Sequence, residues 1–453
     1  MTSRRDFLKQ SAAIAAGTLI VPEAFAFQTR RQPIVVVLGA GLAGLAAADV
    51  LKRNGCTVTV LEARARIGGR VFSHIIDPET NLTIELGAEW VGASHERIIQ
   101  LCKEFGLELL NNQFDSHLVY KDEYFPAGKW SYSEDWKTRL AAIMDNYPQL
   151  TIADKKRLDK MDWWRFLMNQ GIPERDLDLR ELFDSTDFGE SIRMVSGYAA
   201  LAEYAESSER NEMDFKIKGG NSRLVEALAA RVGRSNIKLK HKAIEVLQTD
   251  RGITVHCDDG ARFECDRVIC ALPTFALAKI AWTPCLPEDT LVALASLQYA
   301  RINKHAVLFD ERIWHDEAFD MVTDRYGHYF YHATKNQPGP KGVLISYSIG
   351  DKADVISRQK DAFRKEVVAD ALHPAFGDIG PHVLKQVNYY WGNDEFSKGA
   401  YALYGKGQWY TVQPVLKQPF KHVHFGGEHL ADWQGFMEGA INSGEDAAAE
   451  VLG

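Results

Sequence analysis

The glycines and the acid between positions 39 and 62 have types and a spacing that fit the binding of a dinucleotide. Gly39 permits a tight turn, Gly41 lets the backbone approach a pyrophosphate, and Gly44 allows close packing of a helix on a strand. Glu62, about 20 residues further on, can accept hydrogen bonds from a ribose hydroxyl pair. We therefore expect these residues, together with Ala43 in the same turn, to bind a dinucleotide cofactor.

Predicted secondary structure places these residues as a dinucleotide site requires. The apolar, β-branched run of residues 34–38 predicts a buried parallel strand, and residues 45–52 predict a helix. A second apolar strand, residues 57–61, ends at Glu62. The start of the helix offers free N–H groups and a positive dipole end to phosphates. Because a glycine triplet alone is a weak signal, the order of strand, glycines, helix, strand and acid carries the prediction, and a purely structural glycine turn is the alternative.

The segment around the acid indicates which dinucleotide binds. Residues 62–70 read E-A-R-A-R-I-G-G-R and resemble the E-A-R-x-R-x-G-G-R run of FAD enzymes in the amine oxidase superfamily. Two adjacent glycines let the backbone pass close to a bulky ligand, and Arg70 can neutralise pyrophosphate charge. The resemblance implies FAD as the cofactor, and a solvated basic loop is the alternative. It adds to the predicted FAD contacts Ala63, Arg64, Gly69 and Arg70.

The C-terminal residues carry a second signature. Residues 423–429 predict a strand that runs into a glycine pair and an acid, and a helix follows to the end of the chain. This ending is similar to that of the flavin amine oxidases, where a helix N-terminus can stabilise the reduced, anionic flavin. The resemblance implies that Glu428 binds a ribityl hydroxyl and that FAD also contacts Gly427, Phe436 and Met437. A glycine-bounded helix without a ligand is the alternative.

An aromatic motif bears on the substrate. Residues 391–401 read W-G-N-D-E-F-S-K-G-A-Y and resemble the monoamine oxidase motif W-x-x-x-x-(Y/F)-S-x-G-x-Y. The resemblance implies that Tyr401 and Phe436 face each other across the substrate, with Trp391 as a further candidate. Two ring faces attract a cationic amine and orient its lone pair and Cα–H, whereas core packing is the alternative for each ring. Monoamine oxidases carry a flavin-bonding cysteine where this chain has Ala400, so we expect non-covalent FAD.

Lys304 lies on a predicted strand with an otherwise apolar face. Residues 301–309 predict this strand, and its period of two puts Lys304 on one face with Ile302, Ala306 and Leu308. A lysine on an apolar face is destabilising unless it has a partner or a task. The family resemblance implies that this lysine holds a water against flavin N5, with a pKa lowered by desolvation. A lysine at a strand edge whose amine reaches solvent is the alternative.

Residues 1–26 are predicted to be an export signal and not part of the fold. Residues 3–9 match the twin-arginine signal, a weakly apolar stretch follows from Ala12 to Val21, and residues 24–26 form a small-x-small cleavage site. The apolar stretch is too short to span a bilayer, and no other segment is long and apolar enough to do so. We therefore predict a periplasmic or secreted protein, exported folded by the twin-arginine machinery and without a transmembrane segment.

Composition limits the possible partners. The net charge of −8 argues against nucleic acid, and 46% hydrophobic and 25% charged residues are typical of a soluble globular protein. The six cysteines show neither a C-x-x-C pair nor metal-ligand spacing, so no metal site is predicted and no disulfide is demanded. The sequence leaves open whether the chain forms a homodimer.

The length that follows the export signal, about 425 residues, suggests two domains. We expect an α/β protein with a discontinuous Rossmann-like FAD-binding domain and an α+β substrate-binding domain, which has a mixed or antiparallel sheet and an inserted helical region. Residues 33–92, 213–288 and 420–453 are assigned to the FAD-binding domain. Residues 93–212, expected to be mostly helical, and residues 289–419 are assigned to the substrate-binding domain.

The resemblance implies a flavin amine oxidase that transfers hydride from the amine-bearing carbon to FAD, with imine hydrolysis to ammonia and reoxidation by O2 to H2O2. Trp90 lies where L-amino acid oxidases usually carry an arginine that binds the substrate carboxylate. This favours an amine over an L-amino acid, although an arginine from the helical region could serve instead. An amine dehydrogenase that reduces a periplasmic carrier and a non-catalytic flavoprotein are further alternatives. The predicted FAD contacts are completed by Ala88, Glu89, Trp90 and Ile244.

Overall fold

The computed structural model describes residues 31–453, so the predicted export signal lies outside the described residues. Its first sheet has five parallel strands that come from distant parts of the chain. In spatial order they are Val423–Phe425, Arg267–Cys270, Ile34–Leu38, Thr57–Glu62 and Ile237–Leu239. The central strand is apolar throughout because this sheet is covered on both faces.

Helices cover one face of the five-stranded sheet. They are Leu42–Arg53, Glu96–Phe105, Ser222–Val232 and Met437–Leu452. The first and last of them pack very closely, since a Cβ built on Gly444 would lie 2.1 Å from the carbonyl oxygen of Ala43. This contact fixes the C-terminal helix beside the glycine turn, so the two cofactor signatures meet in space.

A four-stranded sheet covers the opposite face. Its strands are Arg262–Cys265, Gly252–Cys257, Ala243–Thr249 and Ala281–Thr283. Val246 and Val255 from this sheet pack in one cluster with Val36 and Leu38 of the central parallel strand. The glycine turn therefore leaves a strand that is held rigidly from both sides.

The second large sheet has seven strands and is mixed. Its order is Val383–Tyr390, Ile302–Phe309, Gly342–Ile349, Tyr329–His332, Phe319–Thr323, Asp115–Tyr120 and Glu123–Phe125. Neighbouring strands are antiparallel except Phe319–Thr323 and Asp115–Tyr120, which run parallel. The strand Ile302–Phe309 is buried along its whole length because hydrophobic clusters lie on both of its faces. A mixed sheet is one of the two forms expected from the sequence.

The inserted region, residues 93–212, has helices on both sides of a stretch of short strands. Its helices are Glu96–Phe105, Glu134–Asn146, Ile152–Asp159, Trp163–Asn169, Glu174–Phe188 and Gly197–Glu206. Residues 109–125 instead form three short strands, which the expectation of a mostly helical region did not include. Pairing with the distant strand Phe319–Thr323 stabilises Asp115–Tyr120 in extended form, and no local pattern reveals such a partner.

Shorter strand pairs and further helices complete the fold. The strand pairs are Ser73–Asp77 with Leu82–Glu85, Leu109–Asn111 with Phe215–Ile217, and Gln298–Tyr299 with Ala402–Leu403. The other α-helices are Thr274–Leu277, Glu288–Ser296, Gly350–Ser357, Asp361–Phe376, Gln408–Thr411 and Gln413–Leu416. The 3-10 turns are Tyr147–Gln149, Arg234–Asn236, Gly380–His382, Trp391–Asn393 and Glu428–Leu430. Across residues 31–453, no helix is both long and apolar enough to cross a membrane.

Candidate functional site

One cavity of about 780 Å³ collects nearly all of the residues predicted to contact cofactor or substrate. Those that line it are Gly39, Gly41, Ala43, Glu62, Ala63, Arg64, Gly69, Arg70, Ala88, Glu89, Trp90, Ile244, Lys304, Trp391, Tyr401, Gly427, Glu428, Phe436 and Met437. Gly44 does not line it. A Cβ built on Gly44 would lie 1.9 Å from the carbonyl oxygen of Gly39, which fits close packing and not ligand contact. The individual cofactor contacts stay predictions.

At the glycine turn the backbone is open to a ligand. A Cβ built on Gly41 would meet no atom within 4 Å, so this part of the turn faces open space. Gly39 has a φ of +100°, which glycine adopts without strain. Glu62 is 4% exposed, and its two carboxylate oxygens accept the N–H groups of Ala40 and Arg64, at 2.8 Å each. An open turn beside a fixed acid fits the phosphates and ribose of a dinucleotide.

Arg70 joins three separate segments on the cavity wall. Its Nη1 donates to Glu428 Oε1 at 2.5 Å and to the carbonyl oxygen of Ala400 at 2.7 Å. Glu428 also accepts the N–H groups of Ala402 at 3.1 Å and Gly435 at 2.9 Å. Arg70 and Glu428 thus neutralise each other's charge, and their contacts with a pyrophosphate and a ribityl hydroxyl stay predictions.

Three contacts hold the aromatic motif against the cavity. Arg64 forms an ion pair with Asp394 and donates to Ser397 Oγ at 2.8 Å. Trp391 is 2% exposed, and its Nε1 donates to the carbonyl oxygen of Leu86 at 2.8 Å. The indole N–H of Trp391 is therefore used to position the neighbouring chain, and only its ring is left to contact a ligand.

The two rings predicted to bind the amine come from adjoining segments. A Cβ built on Gly435, the residue before Phe436, would lie 3.5 Å from the ring of Tyr401. Tyr401 Oη donates to the carbonyl oxygen of Asp187 at 2.7 Å and lies 3.2 Å from Tyr347 Oη. Phe436 immediately precedes the C-terminal helix. Both rings line the cavity, which disfavours a role in core packing alone.

Lys304 is buried, and its amine lies against main-chain carbonyls beside the cavity. Nζ donates to the carbonyl oxygens of Gly87 at 2.8 Å and Glu85 at 3.1 Å, and it lies 3.5 Å from Glu89 Oε2. Burial lowers the pKa of Lys304, and the carboxylates of Glu89 and Glu85 oppose that shift. Because Lys304 is only 3% exposed, the alternative of an amine that reaches solvent at a strand edge is wrong.

Four buried polar atoms of the wall have no hydrogen-bond partner among residues 31–453. They are the donors Trp90 Nε1 and Arg180 Nε and the acceptors Gln434 Oε1 and Asp320 Oδ1. Burial of unpaired donors and acceptors is destabilising unless a ligand or water satisfies them. Together with the open turn at Gly41, these atoms make the cavity fit a large polar cofactor such as FAD.

Next to Tyr401, the cavity wall contains a group of charged and hydroxyl side chains that sequence reasoning missed. We call this part of the cavity the acidic chamber; its residues are Arg180, Asp184, Asp187, Tyr204, Asp320 and Tyr329. Arg180 Nε lies 3.0 Å from Asp184 Oδ2. The helix that carries this pair resembles an ordinary charged surface helix in sequence, and i, i+4 pairs are common on such helices. Only the fold brings Asp320 from a distant strand to it.

Comparison with known proteins adds the family. The family model of flavin containing amine oxidoreductases matches residues 42–452. Flavin-containing amine oxidase A of Canis lupus familiaris is 26% identical over 463 residues, which cover 92% of this chain and 84% of that protein. Flavin-containing amine oxidase B of Homo sapiens is 25% identical over 463 residues, which cover 92% of this chain and 86% of that protein.

Solved structures share the fold. Wild-type putrescine oxidase bound to putrescine matches with a TM-score of 0.82 at 22% identity, covering 93% of this chain and 99% of that one. Cyclohexylamine oxidase from Brevibacterium oxydans matches with a TM-score of 0.82 at 21% identity, covering 93% and 98%. These likenesses confirm the mixed α/β fold class. Because the family match spans nearly the whole described chain, the protein belongs to the flavin-containing amine oxidoreductase family and is an amine oxidase.

Proposed function

We propose that this enzyme removes hydride from the amine-bearing carbon of a small molecule, with FAD as hydride acceptor and O2 as final oxidant. The products are an imine, which water hydrolyses to a carbonyl compound and ammonia, and H2O2. FAD supplies the redox chemistry when it is bound. The observation that carries the proposal is that Lys304, Tyr401 and Phe436 line the same cavity as the dinucleotide motif.

The residues of the chain bind and orient the amine. The rings of Tyr401 and Phe436 attract its cationic form and limit its orientation, which aligns the Cα–H for transfer. The hydrogen bond from Tyr401 to Asp187 fixes the first ring. Because burial lowers the pKa of Lys304, its amine gives up a proton more readily than an exposed lysine does. Lys304 can therefore hold or move a proton, or a water, at the edge of the cavity.

The charges of the cavity favour an amine over an L-amino acid. Recognition of an α-carboxylate is best served by a free guanidinium. Arg180, which the helical region contributes to the cavity, is ion-paired with Asp184. Arg64 and Arg70 are also paired with carboxylates. An L-amino acid oxidase is therefore the less favoured function.

We further propose that FAD is bound without a covalent bond. Ala400 lies on the cavity wall, and its methyl group cannot form the thioether that a cysteine forms with flavin. Its carbonyl oxygen accepts a hydrogen bond from Arg70, which fixes this stretch of backbone. Acid precipitation of the purified protein should release all of the yellow colour into the supernatant. Colour that stays in the pellet would contradict this part of the proposal.

Export by the twin-arginine route is a separate proposal that rests on residues 3–9. Cell fractionation should find the shortened protein outside the cytoplasm, loaded with FAD. The double substitution of Arg4 and Arg5 by lysine should keep the full-length chain inside. An unsubstituted chain that stays in the cytoplasm at full length would show that the segment is not an export signal.

Initial rates of H2O2 release from purified holoenzyme test the proposed reaction. We expect turnover with a panel of primary amines and at most about a tenth of that kcat/KM with L-amino acids, a difference of about 1.4 kcal/mol. Higher rates with L-amino acids would reverse the substrate assignment. Flavin that amines reduce but air reoxidises slowly would indicate a dehydrogenase that passes electrons to a carrier.

A further inference from the structure

The acidic chamber is connected to the predicted amine site through aromatic side chains. Tyr401 Oη lies 3.2 Å from Tyr347 Oη, and the Tyr347 ring centroid is 6.3 Å from that of Tyr329. Tyr329 Oη in turn donates to Asp320 Oδ2 at 2.8 Å. Because all four residues line the cavity, a molecule held at Tyr401 can extend along these rings to a buried carboxylate.

Asp187 reaches the same chamber from the helix Glu174–Phe188. Its carbonyl oxygen accepts from Tyr401, and its Oδ2 accepts from Tyr204 Oη at 2.8 Å. Asp187 lines the cavity, and so does the next residue in the chain, Phe188. Burial, followed by the charge of the nearby Asp184, raises the pKa of Asp187 to about 7. Without a cation bound, the chamber therefore disfavours the ionised form of the Asp187 carboxyl group.

Two carboxylates of the chamber have no cation of their own. Within residues 31–453, Asp184 has Arg180 as its partner, whereas no lysine or arginine forms an ion pair with Asp187 or Asp320. Asp320 is 1% exposed, and its Oδ1 has no hydrogen-bond partner. A buried carboxylate without a positive partner is destabilising, and a ligand that brings the positive charge removes that cost.

We propose that the acidic chamber binds a second cationic group of the substrate. The enzyme then oxidises one end of a linear diamine between Tyr401 and Phe436, while Asp187 and Asp320 bind the ammonium at the other end. This inference rests on the proposed function, because it assigns the far end of the same substrate. The unpartnered Oδ1 of Asp320 accepts one N–H of that ammonium, and hydrogen bonds between ionised partners are stronger than neutral ones. The ammonium can also lie against the face of the Tyr329 ring, which attracts cations.

Steady-state kinetics of the holoenzyme with linear α,ω-diamines and with monoamines of the same carbon chain test the inference. Each pair differs only in the second amine. We expect at least one diamine to exceed its matched monoamine in kcat/KM by about tenfold or more, as one charged hydrogen bond supplies. Matched values at every length would overturn the diamine assignment, while turnover of the monoamines would leave amine oxidation intact. Absence of turnover with any amine would overturn both.

Two variants locate the site of the second ammonium. Asp320→Asn and Asp187→Asn keep the shape of the side chain and remove its charge. Each should raise the KM of the preferred diamine about tenfold, and Asp320→Asn should raise that of its monoamine by less than about twofold. Asp250→Asn, at an exposed turn, is the matched control and should change neither KM. A diamine preference that survives in both variants would overturn the assignment. If a variant does not retain FAD, the comparison of diamines with monoamines on the unsubstituted enzyme still tests the inference.

Discussion

The glycine-turn end of the cavity and the acidic chamber use charged groups in opposite ways. At the glycine turn, Glu62 accepts two backbone N–H groups, and Glu428 pairs with Arg70. In the acidic chamber, Asp187 and Asp320 form no ion pair with any residue of the described chain. At the first end the carboxylates of Glu62 and Glu428 both have partners within the protein, and the backbone at Gly41 is open to a ligand. The second has three carboxyl groups but only one guanidinium, that of Arg180, and we propose that the substrate brings further positive charge.

Within the glycine-turn end, Gly44 and Gly41 differ in whether a side chain fits, and this gives the largest expected effect. A methyl group at Gly44 would collide with the carbonyl oxygen of Gly39, whereas a methyl group at Gly41 meets nothing within 4 Å. We expect Gly44→Ala to lower the free energy of unfolding by about 3 kcal/mol, the upper range for overpacking. Gly41→Ala should leave stability of the FAD-free protein near that of the unsubstituted chain and weaken FAD binding. Chemical denaturation and flavin titration measure the two effects, and equal loss of stability in both variants would contradict the distinction.

Removal of the Tyr401 and Phe436 rings tests how the cavity binds its substrate. Tyr401→Ala and Phe436→Ala should each lower the rate constant of flavin reduction ten- to a hundredfold, about 1.4–2.7 kcal/mol, because the amine loses its orientation. Tyr401→Phe is the matched control, since it keeps the ring and removes only the hydroxyl, which bonds to Asp187 and Tyr347. It should keep the rate within about threefold and lower stability by about 1 kcal/mol. If stopped-flow measurements find unchanged rates of flavin reduction in both alanine variants, the two rings have a core-packing role only.

Lys304 lines the same cavity and provides a prediction of intermediate size. Lys304→Met keeps the length of the side chain and removes the donor to Gly87 and Glu85. We expect flavin reduction or reoxidation to slow by at least about tenfold, roughly 1.4 kcal/mol, while FAD stays bound. Separate stopped-flow measurements of the two half-reactions show which one depends on the amine. Unchanged rates in both would leave Lys304 with a structural role only.

The change that Asp320→Asn makes to the pH dependence of stability is the smallest expected effect. Burial raises the pKa of Asp320 from an ordinary value near 3.8 to about 7. Between these values the folded chain holds a proton that the unfolded chain has released, so the free energy of unfolding falls as the pH rises. Asp320→Asn should remove part of that fall, by roughly 1 kcal/mol. Thermal unfolding at several pH values checks this, and identical pH profiles would show that Asp320 is not protonated in the folded enzyme.

The sequence predicted the strands, turn and helix of the glycine-turn end because their signals are local. Gly39, Gly41 and Glu62 lie in one strand–turn–helix–strand unit, and the order of these elements is readable from periodicity. The pairing of Arg70 with Glu428 was not predicted, because a sequence does not show which residues of two distant motifs come into contact. Family membership, the mixed α/β fold class and the enzyme class are confirmed, while the domain boundaries and the individual cofactor contacts stay predictions.

The acidic chamber was missed for a physical reason. Asp187 lies on a charged helix, and Asp320 lies on a strand whose neighbours in sequence are apolar. A carboxylate on such a helix usually faces solvent, so its sequence context gives no sign of burial. Only the fold of the helical region over the seven-stranded sheet brings the two groups into one chamber. Sites built from side chains on distant elements are therefore less readable than sites built from a continuous turn.

Anaerobic mixing of the holoenzyme with an amine tests the central claim most directly. If one cavity holds FAD at the glycine turn and the amine between Tyr401 and Phe436, the visible flavin absorbance should bleach in a phase that saturates with amine concentration. Readmission of O2 should restore the absorbance and release one H2O2 per flavin. Flavin that stays oxidised with every amine, or that bleaches only with L-amino acids, would contradict the account.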